Sequence, residues 1–529
     1  MRRKRREKIF LFIFHPPPSL WEGGGKKEGD GNKTITNWLA ITNKIAEEMR
    51  IEKKDFKKIS DFLWEIPISF KSGMRVPARV YASEKMLDHI LKDKSIEQLI
   101  NGATLPGVTK YVIAMPDCHE GYSVPIGFVG PIDVDNGVIS PGACGFDINC
   151  GMRLLKTRYS EKEVKPYLEK LASEIHKNIP SGLGKGRKTK LSFQEIDKIL
   201  TKGAKYLVEK GYGEEEDLVN CEAGGMLDWA EAEAVSSKAK ERGRDQLGTL
   251  GSGNHFLEIQ KVEKIFDSKT AEVFGLFEGQ IVIMVHTGSR GLGHQVCSDY
   301  LRKMIPLMEK YKIKVPDKEF ACLPFYSPEG QQYFKAMAGA ANYAWANRQM
   351  IIYYIRLSWQ KTFNKKDNLT LLYDVAHNII KKETYKIDGQ EKELIIHRKG
   401  ATRAFPACHP EIPPHYRSVG QPVIIPGSMG TSSYVLVGTE KGEEAFYSTS
   451  HGSGRVMSRN QAMRTISGQK VVRDLLSQGI ITKYFSVKRI AEEAPAAYKD
   501  IEEVIEIVDQ AGLSKKVAKL RPLAVVKGE

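Results

Sequence analysis

The sequence is poor in the features that mark secreted and membrane proteins. Its 529 residues include only seven cysteines, an odd number scattered along the chain, which argues against a disulfide framework and for a reducing compartment such as the cytoplasm. No apolar run approaches the roughly 20 residues that a membrane span requires. The GxxxxGK[ST] pattern of a phosphate-binding P-loop is also missing. We therefore expect a cytoplasmic protein without disulfide cross-links and without a P-loop.

Basic residues are what the chain has in excess. It contains 80 Lys and Arg against 65 Asp and Glu, a formal net charge of +15. Such a charge favours a polyanionic partner such as nucleic acid. Charge alone leaves a basic but otherwise ordinary enzyme equally open, and the 41% hydrophobic and 27% charged composition is ordinary for a globular enzyme.

The N-terminal 48 residues differ in composition from the rest. A basic start is followed by a six-residue apolar run at Ile9–Phe14 and then by proline and glycine runs. That run is shorter than the roughly 7–15 residues of a signal peptide, and no small-residue cleavage site follows. We interpret residues 1–48 as a disordered extension or the product of a mis-assigned start codon, and residues 49–529 as one catalytic domain.

Hydrophobic periodicity predicts alternating helices and strands without an internal repeat or linker, which indicates one large domain of α/β (mixed α+β) class. Helices are predicted over residues 85–99, 166–178, 194–210, 226–241, 294–311, 499–511 and, with a break near Gly339, 330–363. Strands are predicted over residues 111–115, 281–285, 369–375 and 421–425, with a loop and edge strand in 121–130 and an extended tail at 521–527.

A carboxylate and a thiol lie three residues apart at Asp147 and Cys150, in a turn bounded by Gly145 and Gly151. A tight turn can orient both donors toward one borderline divalent metal ion. On its own the pattern is weak, because a lone cysteine is more often a small buried hydrophobe. The metal hypothesis therefore depends on histidines elsewhere in the chain.

Histidine recurs in glycine- and serine-rich loops that follow strand-like segments. The loops cover residues 250–255, 285–291 and 450–455, and a fourth, without histidine, covers 426–430. Glycine lets a backbone approach a ligand closely, and exposed amides and hydroxyls can hold phosphate oxygens. Each loop alone is more often a simple turn, but four of them together indicate a site for a phosphorylated ligand.

Three histidines complete a set of nitrogen, oxygen and sulfur donors with Asp147 and Cys150. They are His255, His286 and His377. Five donors are too many for one tetrahedral ion with an open position and suit two ions that share the thiolate. For each histidine a purely structural role is the alternative. A two-metal phosphoesterase or nuclease would use the same donors, so the reaction stays open at this point.

Several long segments closely resemble the RtcB family of RNA-splicing ligases. These are residues 146–150, 247–258, 285–293, 376–378, 398–404, 426–434 and 451–455. The resemblance extends in order from about Trp64 to Gly528, nearly all of residues 49–529. Met152, where we expect valine, is one conservative departure.

This resemblance implies a single RtcB-type domain around a central dinuclear metal site. It implies a ligase that joins RNA 2′,3′-cyclic phosphate or 3′-phosphate ends to 5′-hydroxyl ends with GTP and Mn²⁺, in tRNA splicing or RNA repair. His451 would be the guanylylated nucleophile. One Mn²⁺ would be held by Asp147, Cys150 and His255, and the other by Cys150, His286 and His377. The implied nucleotide contacts are Asn254, His255, Phe256, Leu257, Glu258, His377, Asn378, Pro426, Gly427, Ser428, Met429, Ser433, His451, Gly452, Ser453, Gly454, Tyr498 and Lys527.

Physical chemistry agrees with these roles. A neutral imidazole can attack the GTP α-phosphate if its other nitrogen is held and the phosphate charge is screened. Glu258 could accept hydrogen bonds from guanine that adenine cannot donate. Arg290, Arg398 and Arg403 could hold RNA phosphates or be structural, and His119 could contact RNA or only pack. RNA is the expected partner, some family members use an activating protein called archease, and the oligomeric state stays open.

One stretch suggests a different nucleophile. Lys386-Ile387-Asp388-Gly389 matches the KxDG motif in which other nucleic-acid ligases use lysine. However, Asp-Gly between the strand-like segments 383–385 and 392–396 is a hairpin signal. We therefore predict a turn here. An RNA-binding scaffold without catalysis is the non-enzymatic alternative.

Overall fold

The computed structural model describes residues 51–182, 186–365, 367, 369–484 and 486–527. The extension predicted at residues 1–48 lies outside this part of the chain. Over the described residues, helices pack with two large sheets in which nearly all neighbouring strands are antiparallel. This confirms the predicted mixed α and β class. Among the described residues, no helix combines the length and apolarity needed to cross a bilayer.

Nineteen strands are found in the described residues. They are β1 Lys57–Ser60, β2 Leu63–Ile66, β3 Ala78–Tyr81, β4 Val112–His119, β5 Ile126–Asp133, β6 Val138–Ile139, β7 Gly151–Ser160, β8 Phe256–Ile265, β9 Gln280–Thr287, β10 Leu323–Pro324, β11 Thr370–Ala376, β12 Asn378–Ile387, β13 Gln390–Lys399, β14 Ala401–Arg403, β15 Pro422–Ile425, β16 Ser433–Gly438, β17 Ser448–Ser450, β18 Ile481–Lys483 and β19 Ser514–Lys527. One large sheet has the order β1-β2-β3-β4-β5-β13-β12 and the other β11-β7-β9-β8-β19-β16-β15, with β18 paired to β19.

The α-helices surround and separate these sheets. They are α1 Glu84–Ile90, α2 Ser95–Gly102, α3 Glu161–Val164, α4 Leu168–Asn178, α5 Phe193–Glu209, α6 Glu215–Val219, α7 Ser237–Gly243, α8 Ser268–Phe274, α9 Arg290–Lys310, α10 Pro328–Phe363, α11 Arg459–Thr465, α12 Gly468–Ser477, α13 Val487–Ile490 and α14 Ile501–Ala511. Most residues of α10 are buried, and the helix packs along α5, α4 and α9. It is the central helix of the core.

Most predicted elements are confirmed, but two helix predictions are wrong. Residues 226–241 are irregular until α7, because Asn342 of α10 satisfies this backbone instead: it accepts from the N–H of Leu227 at 2.7 Å and donates to its carbonyl at 3.1 Å. The predicted helix 85–99 is divided into α1 and α2, and Asp93 accepts from the N–H of Ser95 at 2.8 Å as α2 begins.

Three further predictions differ from the structure. α10 continues without a break through Gly339, since one glycine costs a helix only about 1 kcal/mol and tertiary packing of a buried helix outweighs that cost. The segment predicted as an edge strand within residues 121–130 contributes β5, which lies between β4 and β13. Residues 521–527 are extended, as predicted, but they are the end of β19 and pair with β8 and β18 instead of forming a tail.

Candidate metal and nucleotide site

Four neighbouring strands deliver the predicted metal ligands to one edge of a sheet. The order is β11-β7-β9-β8, and the register pairs Gly151 with Thr287 and Ala376, and Phe256 with His286. Because antiparallel neighbours alternate in direction, β7 and β8 begin at the edge where β9 and β11 end. Every predicted metal ligand belongs to this edge or to the turn beside it.

The five predicted ligands converge on Cys150. Its Sγ lies 3.4 Å from Nε2 of His255 and 3.3 Å from Nε2 of His286. Oδ2 of Asp147 is 2.8 Å from Nε2 of His255, and the Nε2 atoms of His286 and His377 are 3.3 Å apart. The donors form two groups, Asp147–Cys150–His255 and Cys150–His286–His377, and within each group the donor atoms lie within 4.8 Å of one another. Cys150 belongs to both groups.

The Nδ1 atoms of His286 and His255 have different hydrogen-bond partners. Nδ1 of His286 lies 3.0 Å from the carbonyl oxygen of Asn254, which places the proton on Nδ1 and leaves Nε2 for a metal ion. Nδ1 of His255 instead accepts from Arg290 at 3.1 Å, so its neutral ring carries the proton on Nε2. Ligation through Nε2 of His255 therefore requires Arg290 to move away from the ring.

Charge effects at these donors are strong because the site is buried. Burial raises the pKa of the Cys150 thiol well above its ordinary value, and the charge of Asp147 adds to this rise. Burial alone would raise the pKa of Asp147 too, but His255 outweighs it and holds that pKa below the usual range. A bound divalent cation would favour the thiolate. The set of Asp, Cys and His donors thus fits a borderline divalent metal ion.

A buried ion network supports the ligand turns. Asp374 accepts from Nε of Arg153 at 2.6 Å and from Nε of Arg348 at 2.7 Å, and all three side chains are fully buried. Arg348 also donates to the carbonyl oxygens of Asn149 at 2.8 Å and Thr287 at 2.9 Å. Each of these two residues directly adjoins a predicted metal ligand. The network therefore fixes two of the ligand-bearing chain segments relative to each other.

The end of β11 is held by a second buried charge cluster. Glu222 accepts from the N–H of Ala376 at 2.8 Å and from Nζ of Lys381 at 2.7 Å. Burial alone would raise the pKa of Glu222, but Lys381 and Arg403 lower it to about 2. Its carboxylate is therefore charged and positions the residue just before His377.

Two arginines considered for RNA binding have structural roles instead. Arg398 is buried and donates to Glu383 at 2.5 Å and to the Ser448 hydroxyl at 2.9 Å. Arg403 is buried and lies 2.6 Å from Glu411. Since both guanidinium groups are buried and already have anionic partners, they are not free to hold RNA phosphates.

A cavity of about 850 Å³ opens on the ligand cluster. Its lining includes Asp147, Cys150 and His286. It also includes most residues predicted to contact nucleotide: Asn254, Phe256, His377, Asn378, Pro426, Gly427, Ser428, Met429, His451, Gly452, Ser453, Gly454, Tyr498 and Lys527. The cavity therefore brings together loops that are far apart in the chain.

Four predicted nucleotide residues lie outside that lining: His255, Leu257, Glu258 and Ser433. Gln260 joins two of them, since its Nε2 donates to Glu258 at 2.6 Å and to the Ser433 hydroxyl at 3.1 Å. Ser433 in turn accepts from the N–H of Gly427 at 3.2 Å. Leu257 points to the opposite face of β8, and its side chain packs in the hydrophobic core. Gln260 was not identified from sequence, although it follows Glu258 on the same strand face.

His451 lies where the ligand cluster meets the cavity. Its ring centroid is 5.0 Å from that of His377. Its Nδ1 lies 2.6 Å from Oδ2 of the fully buried Asp117, which also accepts the backbone N–H groups of His451 at 3.0 Å and Gly452 at 3.1 Å. Burial would raise the pKa of Asp117, but His451 outweighs it and lowers that pKa. The Asp117 carboxylate thus contacts the Nδ1 side of the His451 ring and fixes its orientation.

Asp117 was not identified from the sequence. Its only signal was the polar run Asp117-Cys118-His119 at the end of an apolar strand, and nothing local connected it with His451. The neighbouring His119 is a packed ring: its Nδ1 lies 3.1 Å from the carbonyl of Asp117, and burial lowers its pKa to about 3. It lines the cavity as a neutral imidazole.

A carboxylate anchors the far wall of the cavity. Glu493 lies 3.2 Å from Arg455 and 3.7 Å from Nζ of Lys527, and it accepts from the hydroxyl of Tyr498. Burial lowers the pKa of Lys527, which Glu493 opposes. This cluster places both predicted nucleotide contacts, Tyr498 and Lys527, beside one another.

A family model described as tRNA-splicing ligase RtcB matches residues 98–528. The chain belongs to the RtcB family. Curated relatives named tRNA-splicing ligase RtcB include those of Thermococcus kodakarensis, 50% identical over 481 residues, covering 90% of this chain and all of the relative, and of Archaeoglobus fulgidus, 52% identical over 476 residues, covering 89% of this chain and 98% of the relative. That of Methanococcus maripaludis is 51% identical over 480 residues, covering 90% of this chain and all of the relative.

In this RtcB chain the KxDG stretch forms a turn, as predicted. Ile387 pairs with Gln390 at the end of the β12–β13 hairpin. Asp388 and Gly389 have φ angles of 50° and 83°, the left-handed conformation that a two-residue hairpin turn requires. Lys386 is exposed, so the lysine lacks the buried setting of a nucleophile.

Replacing Asp374 by Asn tests the buried network. The substitution removes the shared counter-charge of Arg153 and Arg348, and we expect the free energy of unfolding to fall by about 3–5 kcal/mol. Denaturant unfolding measures the loss. Glu393→Gln is the matched control, because its exposed pair with Lys382 contributes under about 1 kcal/mol. Equal losses in the two variants would contradict the role assigned to Asp374.

Proposed function

We propose that this RtcB protein joins RNA 2′,3′-cyclic phosphate or 3′-phosphate ends to 5′-hydroxyl ends, in tRNA splicing or RNA repair, using GTP and Mn²⁺. Membership of the RtcB family makes the protein an RNA ligase. The observation that carries the finer proposal is the position of His451, held by Asp117 at 2.6 Å on one side and facing the His377 ring on the other.

His451 is the proposed nucleophile. Because Asp117 lies against Nδ1, the ring keeps its proton there and presents the Nε2 lone pair to the cavity. Nε2 forms a bond to the α-phosphorus of GTP, and the bond from that phosphorus to the bridging oxygen breaks, so pyrophosphate leaves. Asp117 stabilises the positive charge that develops on the ring. The product is a guanylylated histidine.

The guanylylated histidine then activates the RNA. An oxygen of the RNA 3′-phosphate attacks the GMP phosphorus, breaking the bond to Nε2 of His451 and leaving GMP on the RNA end. The 5′-hydroxyl of the second RNA attacks the RNA phosphorus, and GMP departs as a far better leaving group than oxide. A 2′,3′-cyclic phosphate must first be hydrolysed to the 3′-phosphate.

The two donor groups would hold the metal ions. Asp147, Cys150 and His255 would bind one Mn²⁺, and Cys150, His286 and His377 the other. When bound, these ions supply charge screening and polarisation of phosphoryl oxygens. The protein's own contribution is to keep the donors within 4.8 Å of each other beside the cavity and to aim His451 at the same place.

Guanine selection is assigned to Glu258. The Glu258 carboxylate lies behind the cavity wall and accepts a hydrogen bond from Gln260. It could also accept hydrogen bonds from the N1 and N2 groups of guanine. Adenine offers no matching donors, so the buried carboxylate would be left unpaired with ATP. The small residues of the 426–429 and 451–454 loops line the cavity and would bring their backbone groups close to the phosphates.

A two-metal phosphoesterase or nuclease is the alternative that shares the donors. Hydrolysis would need neither GTP nor the Asp117–His451 pair, and that pair is the observation against it. A cytoplasmic location and an archease-type activating protein stay predictions.

Incubation with α-radiolabelled GTP and Mn²⁺ tests the nucleophile. We expect label on the wild type and on Lys386→Ala, and none on His451→Ala, because only the imidazole can take up GMP. Denaturing gels with phosphor imaging measure the adduct. Label that survives in His451→Ala and disappears in Lys386→Ala would point to the lysine instead.

Metal analysis after equilibrium dialysis tests the shared sulfur. We expect two Mn²⁺ per wild-type chain and one in His255→Ala or His377→Ala, because each of these histidines belongs to one donor group. Cys150→Ala should lose both ions at the same Mn²⁺ concentration. His409→Ala, which changes a histidine outside both groups, is the control. Two ions retained by Cys150→Ala would refute the shared ligand.

The pH dependence of GTP binding tests Glu258. Burial raises the pKa of this carboxyl group to about 8, so the group is protonated below pH 8 and must lose its proton to accept from guanine. We expect GTP affinity to be flat above pH 8 and to fall below it by up to about tenfold per pH unit. Titration calorimetry at several pH values measures this. Glu258→Gln should abolish the pH dependence, and Glu263→Gln on the same strand should keep it.

A further inference from the structure

The nucleotide cavity and the metal cluster meet at Asp147, Cys150, His286 and His377, which all line the cavity. His255, the remaining predicted ligand, lies outside the lining, and so does Phe146, the residue before Asp147. The surface that carries Phe146 therefore adjoins the metal cluster without belonging to the nucleotide cavity.

A row of three aromatic rings begins at the residue before Asp147. Phe146 is half-buried, and its ring stacks on that of His294 with centroids 5.7 Å apart and planes 25° apart. On its other side the edge of Tyr122 approaches at 5.2 Å and 67°. His294, in the first turns of α9, is exposed. The row thus ends in an imidazole ring that is backed by phenylalanine and open to solvent.

Two arginines lie near the end of this row. Arg290 begins α9 one turn before His294, and Arg242 donates to Gln295, the residue after His294, at 3.1 Å. Arg242 is exposed, and among the described residues no carboxylate lies within 4.0 Å of it. Arg290 donates to Nδ1 of His255 at 3.1 Å, and it must leave this ring when His255 binds a metal ion through Nε2. Arg242 therefore offers one positive charge to an anion here, and Arg290 offers a second once it has left the ring.

We propose that the exposed ring of His294, backed by Phe146, stacks on a base of the RNA strand whose end lies at the metal cluster. The neighbouring phosphates would lie against Arg242 and Arg290. This inference rests on the proposed RNA ligation and assigns a base-binding position outside the nucleotide cavity. Stacking accepts every base, because each base has a π-face. A ligase that must join ends of different sequence needs contacts of that kind.

A second histidine–phenylalanine stack in the chain, His409 on Phe405, can be compared with His294 on Phe146. His409 stacks on Phe405 with centroids 3.5 Å apart and planes 14° apart. Its charged surroundings are Glu411, Arg403 and Glu383, and Arg403 is buried against Glu411. The His409 pair thus lacks an available cation. It offers an imidazole–phenylalanine stack without the charge that RNA would require.

Fluorescence anisotropy with a labelled single-stranded RNA carrying a 3′-phosphate, and separately one carrying a 5′-hydroxyl, tests the proposal. We expect His294→Ala to weaken binding of one of these strands by about tenfold, within the range of a base–aromatic stack. His294→Phe, which keeps a flat ring, should restore binding, and His409→Ala should bind as the wild type does. The strand that responds identifies which RNA end the ring holds.

An abasic terminal nucleotide separates stacking from a general loss of structure. On such RNA the wild type and His294→Ala should bind equally, because no base remains to stack. Guanylylation by GTP alone should be the same in wild type and His294→Ala. Equal binding of both base-containing strands by wild type and His294→Ala would overturn the proposal, as would a defect that persists on abasic RNA. Absence of label on the wild type would instead refute the proposed function, while the anisotropy comparison would still decide the stacking.

Discussion

One sulfur atom has to serve two groups of metal donors, and much of the surrounding structure fixes where that atom lies. The backbone of Cys150 is held on both sides, since its N–H donates to the carbonyl of Asp147 at 3.0 Å and its carbonyl accepts from His377 at 2.9 Å. Asn149 adopts a positive φ of 52°, and Arg348 holds its carbonyl. The Arg348 guanidinium contacts the backbone oxygens of Asn149 and Thr287 and leaves the metal-donor atoms free. This arrangement keeps a buried thiol and carboxylate available to cations from solution.

Two Asp–His pairs at the site are chemically alike and have different geometry. Asp147 approaches Nε2 of His255 at 2.8 Å, so the carboxylate and that nitrogen lie on the same side, beside Cys150, as two donors to one ion would. Asp117 approaches Nδ1 of His451 at 2.6 Å, which leaves the opposite nitrogen of that ring unused. The nitrogen that each carboxylate contacts thus distinguishes the proposed metal ligand His255 from the proposed nucleophile His451. Residue type alone contains no such distinction.

The sequence predicted the candidate metal-donor residues better than the residues that hold the site in place. Asp147 and Cys150 share one turn, and His255, His286 and His377 follow or lie in loops beside strand-like segments, so local patterns indicated all five donors. The family resemblance supplied their assignment to two separate ions. Asp117 and Gln260 contact residues that are distant in the sequence, His451 and Ser433. A local sequence pattern cannot predict such contacts. The same limit explains the predicted helix at residues 226–241, whose backbone is satisfied by Asn342 of another helix. The predicted break at Gly339 is wrong because a buried helix such as α10 tolerates one glycine, and this burial depends on neighbours that the local pattern does not contain.

The choice between imidazole and amine as nucleophile follows from where the lysines lie. An amine becomes nucleophilic when burial or a neighbouring cation lowers its pKa, and Lys386, exposed on a hairpin, has neither. Lys527 is buried, which lowers its pKa, and it lines the cavity, but its Nζ lies 3.7 Å from Glu493, whose charge opposes that shift. Among these three side chains, only the ring of His451 combines a carboxylate behind it, a free nitrogen and contact with both the cavity and the donor cluster.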